Sequence, residues 1–191
     1  MRSGFELFKT RKQEESIDIA TLEQQYGIQL PPLYKLFVST FHLDRKVLAG
    51  ERYFDTTIQN YREAAMVAYY PLLNDPEKVL DISLMYDLEF NLIMWQNNYQ
   101  REPEWMDYGF FKITDIGMGG GLYVGTRDEN KDKIFRIVWD WDEPYDEICD
   151  NIFELVRGLT LVYDPNDPPH GITSYDQLYK NWGDEYWQIR S

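Results

Sequence analysis

Residues 110–140 limit the fold more than any other stretch. Three runs, FFKI (Phe110–Ile113), LYVG (Leu122–Gly125) and IFRIVWD (Ile134–Asp140), are short, rich in β-branched and aromatic residues, and bounded by turn material. They read as three strands. In the last, Phe135, Ile137 and Trp139 fall on one face and Ile134, Arg136 and Val138 on the other. The polar run TRDENKDK predicts a long hairpin connection between the second and third. Between the first and second lies ITDIGMGGG, with glycine at Gly117, Gly119, Gly120 and Gly121.

That cluster has two readings, a phosphate cradle or a turn between strands. A Walker loop needs Lys and Ser or Thr after its last glycine, but Leu122 and Tyr123 follow Gly121. The dinucleotide fingerprint begun at Gly117 needs a third glycine where Leu122 stands, and it must open a helix. The strand LYVG follows instead, so there is no helix N-terminus to attract an anion. The glycines are expected to supply positive φ or close backbone approach between antiparallel strands.

Upstream, Ser16 is placed to cap a helix running to about Tyr26 and stopped by Gly27, with Ile17, Ile19, Leu22 and Tyr26 on its apolar side. Pro31 and Pro32 suit the first turn of a second helix, in which Leu33, Leu36, Phe37 and Phe41 recur at helical spacing. Residues 43–57 read as loop with a short strand around Arg52–Asp55. Thr56 or Thr57 would cap a helix carrying Ile58, Tyr61, Ala65, Ala68 and Tyr69, ended by Pro71. Residues 76–100 fit strand or helix equally, because they alternate in part yet are long enough for a helix. Pro144 introduces an expected helix, YDEICDNIFELVRGL, with Tyr145, Ile148, Ile152, Phe153, Val156 and Leu159 as its stripe and Gly158 near its end. Cys149 sits beside that stripe as a small core residue. Three regions follow: a basic arm over 1–13, a domain over 14–159, and an extension over 160–191 that packs on the same domain and ends in a short aromatic helix capped by Ser174.

Composition removes several function classes. The single cysteine excludes an internal disulfide framework and a cysteine-based zinc site. The N-terminus holds no apolar run long enough for a signal peptide, and no stretch approaches the ~18 apolar residues of a membrane span. A soluble, cytoplasmic protein is expected. A formal net charge of −14 argues against nucleic acid and anionic membrane as partners, and suits a basic protein partner. His42 and His170 have no partner nearby in sequence, and no serine-elbow, zinc-protease or paired-cysteine motif occurs.

The densest feature is acidic. Asp140, Asp142, Glu143, Asp146, Glu147, Asp150 and Glu154 fall between Arg136 and Arg157 with no basic residue among them, interleaved with Trp139, Trp141 and Tyr145. One explanation is structural, with acids at the first turn of the expected helix, where its dipole favours them. The other is a contact patch for a cationic partner, formed by Asp140, Trp141, Asp142, Glu143, Tyr145 and Asp146, with Trp141 and Tyr145 as anchors. EF-hand calcium spacing is absent.

Three stretches in this order resemble the SUKH superfamily, which takes its name partly from a yeast cell-wall-assembly regulator and includes many bacterial immunity proteins. YGIQLPPLYKLFVSTF is similar to the family's leucine–proline opening and following helix. FFKITDIGMGGGLYVGT is similar to its strand, glycine cluster and second strand. IFRIVWDWDEPYDEICDNIFELVRGL is similar to its aromatic–acidic strand end and closing helix. Met118 stands where the family often has an acidic or polar residue, and the tail 160–191 runs beyond the usual closing helix. The resemblance implies an α+β fold, mainly an antiparallel sheet flanked by helices, with no cofactor and no catalysis. It also implies a protein toxin domain as partner. Contact residues vary across the family, so none is carried over.

Three functions follow as expectations. The first is an immunity protein that binds and neutralises a cognate toxin, with a basic nuclease-type toxin as the case that acidity fits. The second is a scaffold or regulatory module in cell-wall or signalling processes. The third is an enzyme with a carboxylate site, which requires a concave pocket holding paired acids, one with a raised pKa.

Overall fold

The computed structural model describes residues 9–10, 16–42, 66–69, 80–101, 108–116, 120–138 and 145–162. Among them are nine strands, β1 (Lys9–Thr10), β2 (Phe41–His42), β3 (Met66–Tyr69), β4 (Leu80–Met85), β5 (Phe110–Ile116), β6 (Gly120–Gly125), β7 (Ile134–Val138), β8 (Tyr145–Cys149) and β9 (Leu159–Val162). Four helices accompany them, α1 (Ile19–Tyr26), α2 (Pro32–Thr40), α3 (Leu88–Arg101) and α4 (Ile152–Gly158). The architecture is α+β, as expected. Strands β3 to β9 form one antiparallel sheet in the order β8-β7-β6-β5-β4-β3-β9, and β1 pairs separately with β2.

The three central runs fold as strands in the expected places, and β5 and β6 extend further into the glycine cluster. Each is a meander neighbour of the next, because short apolar runs joined by turns pair locally. The hairpin between β6 and β7 spans residues 126–133. Register runs from Gly120 opposite Val138 to Val124 opposite Ile134.

After β8 the chain crosses from one edge of the sheet to the other through α4. Three extended steps, six helical steps and one more reach about 23 Å at most. Six flat strand spacings need about 29 Å. The sheet therefore curls, as a twisted sheet does, and α4 touches both β8 and β3 while packing on α2. Register shifts at Ile82/Leu84, Lys112/Thr114 and Ile134/Phe135 mark the irregularities that allow such bending.

The main core fills the concave side. Leu30, Tyr34, Phe37 and Val38 of the α2 region meet Phe111, Ile113, Leu122 and Val124 of the sheet and Ile152, Leu155 and Val156 of α4. Phe37 stacks edge-on to Phe153 at 5.8 Å. Asn91, buried on α3, donates from Nδ2 to the Tyr34 hydroxyl and to the Tyr86 carbonyl, both at 3.3 Å, tying α3 to α2 and to the end of β4. Burial pushes the Tyr34 hydroxyl well above the usual tyrosine pKa.

Several sequence expectations are corrected. Asp18, not Ser16, caps α1: its carboxylate accepts from the Thr21 N–H at 3.1 Å and the Thr21 hydroxyl at 2.7 Å. Gly27 ends that helix at φ 65°, as expected. Leu36 is 54% exposed rather than part of the apolar stripe of α2. Of the ambiguous segment 76–100, the described residues 80–100 are strand and then helix, divided by Asp87, whose carboxylate accepts from the Phe90 N–H at 2.7 Å. Met66–Tyr69 is strand β3, between β4 and β9, not the end of a helix. The expected helix at 145–159 is also divided. Tyr145–Cys149 pairs with β7, and only Ile152–Gly158 is helical. Asn151 makes the break, its side chain accepting from the Phe153 N–H at 3.0 Å and the Glu154 N–H at 3.1 Å. The expectations for 43–65, for Trp139 and for 163–191, His170 included, lie outside the described residues.

Candidate functional site

The sheet's second face carries its own small cluster, Phe110, Tyr123, Phe135 and Ile137, all buried. Strand alternation separates this face from the main core: Phe135 and Ile137 point one way, Ile134 and Val138 the other. Towards β8 the cluster opens into an exposed shelf. Tyr145 is 45% exposed and Tyr108, just before β5, 54%. Their rings lie 6.4 Å apart, and Tyr145 lies 5.4 Å from Phe110 and 6.2 Å from Phe135, centroid to centroid. Such spacings are those of interacting aromatic pairs. The rings are tilted against one another by 45–77° and the two tyrosines are half exposed, a mix of apolar and wet surface that contact anchors use.

Of the six expected contact residues, Asp140, Trp141, Asp142 and Glu143 lie outside the described residues. The other two are on β8, and alternation places them on opposite faces. Tyr145 pairs with Ile137 on the aromatic side. Asp146 pairs with Arg136 on the core side, where its Oδ2 accepts from Arg136 Nε at 3.1 Å and from Nη2. Glu147, opposite Phe135, accepts from Lys133 Nζ at 2.8 Å, and this bond raises the Lys133 pKa. Asp146 and Glu147 are thus matched internally, Asp146 on the face opposite Tyr145 and Glu147 on the same face as it. The dipole explanation for these acids is corrected too, since α4 begins at Ile152 and its first turn contains only Glu154. Phe135 and Ile137 share a face as expected, but Tyr108 was not singled out from the sequence, nor was the part of Phe110 and Phe135 in the shelf. No strand alternation announces Tyr108, because Gly109 turns the chain at φ 70° between it and β5; the structure nevertheless sets its ring 6.3 Å from Phe110.

The strands on either side of the glycine cluster pair antiparallel, as expected, and Gly120 and Gly121 open strand β6, not a helix. Gly120 and Gly121 serve close approach. A Cβ on Gly120 would stand 2.8 Å from the Ile137 carbonyl oxygen, and one on Gly121 3.0 Å from that of Thr114. Gly117, Met118 and Gly119 lie outside the described residues.

A cleft of about 450 Å³ lies between the entry to α2 and the β6–β7 hairpin, with Leu30, Pro31, Lys35, Arg127, Asp128 and Lys131 on its walls. Asp132 holds the two sides together. It occupies the left-handed region at φ 67°, and its Oδ1 accepts from the N–H groups of Leu33 at 2.8 Å and Tyr34 at 3.3 Å. Pro31, at the cap position of α2, offers no such acceptor, so the cap comes from the hairpin. The first donors of α2 are thereby taken by a carboxylate of the chain itself. Two of the cleft's cations are also matched, Lys35 with Glu23 and Lys131 with Asp128. The Lys131 hydrogen bond lowers the Asp128 pKa, the direction opposite to that required of a carboxyl acid catalyst. Among the described residues no group of His, Cys, Asp and Glu side chains is arranged to hold a metal ion, and no helix is long and apolar enough to cross a membrane.

No protein-family model matches this chain, and no curated protein matches its sequence.

Proposed function

We propose that the chain is a non-catalytic, cytoplasmic immunity protein of SUKH type that neutralises a cognate bacterial toxin by direct binding. The observation that carries this reading is the exposed Tyr108–Tyr145 shelf at the outer strand of the sheet. Tyr145 follows the run Asp140, Trp141, Asp142 and Glu143 in sequence, separated from it by Pro144. Aromatic anchors close in sequence to a run of acids suit a basic protein surface, a nuclease-type toxin being the case in point. A net charge of −14 would speed that encounter. An acidic inhibitor also imitates the phosphates that such a toxin binds.

Affinity capture tests the reading. The tagged chain is used as bait in lysate of its own cells, expressing the toxin systems under competition, with low-salt and high-salt washes. A stoichiometric toxin-bearing partner, held more weakly at high salt, is the expected result. An endogenous regulator without toxin features in its place would sink the immunity reading and establish a scaffold. With the partner in hand, Asp142→Lys and Glu143→Lys should slow association about tenfold at low salt and flatten its salt dependence.

A further inference from the structure

Tyr108 stands on the shelf without belonging to a strand. It lies two residues before β5, and Gly109, at φ 70°, turns the chain between them. Support for this turn comes from the connection between β6 and β7. The Thr126 N–H and hydroxyl donate to the Gly109 carbonyl at 2.8 Å and 3.0 Å. Asn130 Nδ2 donates to the Tyr108 carbonyl at 3.0 Å. The carbonyls of both turn residues are thus held by the hairpin.

Asn130 is placed to do this. Arg127, Asp128 and Glu129 at the loop tip are exposed, whereas Asn130 is 8% exposed. Its Oδ1 accepts from the Arg127 N–H at 2.9 Å and closes the loop, while its Nδ2 serves Tyr108. An N–H needs an acceptor and a carbonyl needs a donor, so the two partners require a carboxamide and fix its orientation. A buried amide left unpaired is costly, which keeps both bonds in place. Glycine backbone makes the fit possible. A Cβ on Gly125 would stand 2.6 Å from both Cγ and Oδ1 of Asn130, and one on Gly109 would stand 2.8 Å from Arg127 Cδ. The run GTRDEN (Gly125–Asn130) therefore braces the turn at Tyr108 besides connecting two strands.

We infer that Asn130 is a positioning residue of the shelf: its carboxamide sets where Tyr108 stands against Tyr145, 6.4 Å ring to ring. Its bearing on binding rests on the reading of the shelf as the contact surface; its bearing on geometry does not. An anchor held in place before contact loses less freedom on binding. A residue buried behind the shelf can supply that without touching the partner.

NMR of the full chain, with no partner present, tests the geometry. The native chain should show a scalar coupling across the hydrogen bond from Asn130 Nδ2 to the Tyr108 carbonyl carbon, and cross-relaxation between the Tyr108 and Tyr145 ring protons. Asn130→Asp keeps the acceptor for Arg127 and removes the donor for Tyr108. The ring-to-ring signal should then be lost while amide protection across β6 and β7 stays, because the loop remains closed. A ring-to-ring signal unchanged in Asn130→Asp overturns the inference. So does a loss that takes the β6–β7 protection with it, which would make Asn130 a general support of the hairpin. If Asn130→Asp does not fold, absence of the coupling in the native chain still overturns it. Affinity for the captured partner tests the reading beneath it. Asn130→Asp should bind about tenfold more weakly, with no further loss in a Tyr108→Ala background, since both act through one ring. Equal affinity of Asn130→Asp and the native chain, with the ring signal lost, removes the shelf from the interface and leaves the positioning of Tyr108 standing.

Discussion

Strands β6 and β8 share a neighbour, since both pair with β7, yet they meet opposite fates. Every residue of β6, GGLYVG, is buried. Strand β8, YDEIC, is exposed or half-buried along its length. The difference follows from side-chain type. Leu122 and Val124 face the helices, Tyr123 faces the aromatic cluster, and the glycines let neighbouring backbones close in. Asp146 and Glu147 resist burial, because their charges require water or partners. A strand apolar on both faces is driven to the middle of a sheet, whereas one with acids on both faces is held at the rim. The rim strand is then the one whose tyrosine ring reaches solvent, Tyr145 being 45% exposed.

If that account is right, β6 is where truncation costs most. Leu122 is fully buried beneath the helices. Leu122→Ala should lower the free energy of unfolding by about 2–5 kcal/mol, read as a fall in urea midpoint at unchanged slope. A loss below about 1 kcal/mol would mean that β6 is not the packed centre of the sheet. Gly120→Ala comes next. Its new Cβ would press on the Ile137 carbonyl oxygen at 2.8 Å and on Ile116 and Val138 side-chain atoms at 3.0 Å. Overpacking of this kind costs about 1–3 kcal/mol, a fall in Tm of roughly 2–4 °C per kcal/mol for a chain of this size. An unchanged Tm would show that β6 and β7 can move apart, and that closeness is not what the glycine supplies.

The same contrast explains what could be read from the sequence. Strands β5, β6 and β7 were recognisable because their apolar runs are short, punctuated by turns and paired with the next run along the chain. Strand β8 was not, because Tyr145, Ile148 and Ile152 also fall at helical spacing, and only pairing with the distant face of β7 decides between the two. Asn151 was the local clue that the helix begins later. It can cap, and apolar Ile152 and Phe153 follow it. Strand β3 was missed for a similar reason. Met66–Tyr69 lies between β4 and β9, and β9 is nearly a hundred residues further along, so no local pattern announces it. At the candidate site, Tyr145 was visible as an aromatic among acids. Its separation from Asp146 was not, because period-two alternation places neighbours on opposite faces only once the segment is known to be a strand.

A smaller effect tests how the β6–β7 hairpin is held. Asp132 caps α2 across the fold while sitting at a positive φ. Asp132→Ala removes the acceptor and places a residue less suited to the left-handed region, so about 1–2 kcal/mol should be lost. Asp132→Asn keeps an acceptor and a residue that tolerates that backbone, and should retain more than half of the difference. Equal effects of the two substitutions on Tm would show that the carboxylate charge, not the cap geometry, does the holding.

The smallest effect on stability is expected where the largest effect on binding is proposed. Tyr145 is 45% exposed at the rim, with ring contacts to Phe110, Phe135 and Tyr108. Tyr145→Ala removes only partly buried surface, so the unfolding free energy should change by less than about 1 kcal/mol. An anchor tyrosine at an interface typically contributes about 2 kcal/mol or more, so partner affinity should fall by about thirtyfold. Tyr145→Phe separates ring from hydroxyl: retained affinity assigns the role to the ring's face, and lost affinity assigns it to the hydroxyl. The comparison between the two strands breaks if Tyr145→Ala costs as much stability as Leu122→Ala while leaving partner affinity intact. In that case β8 would be a second structural strand like β6, and the rim would have to be sought at the β9 edge of the sheet.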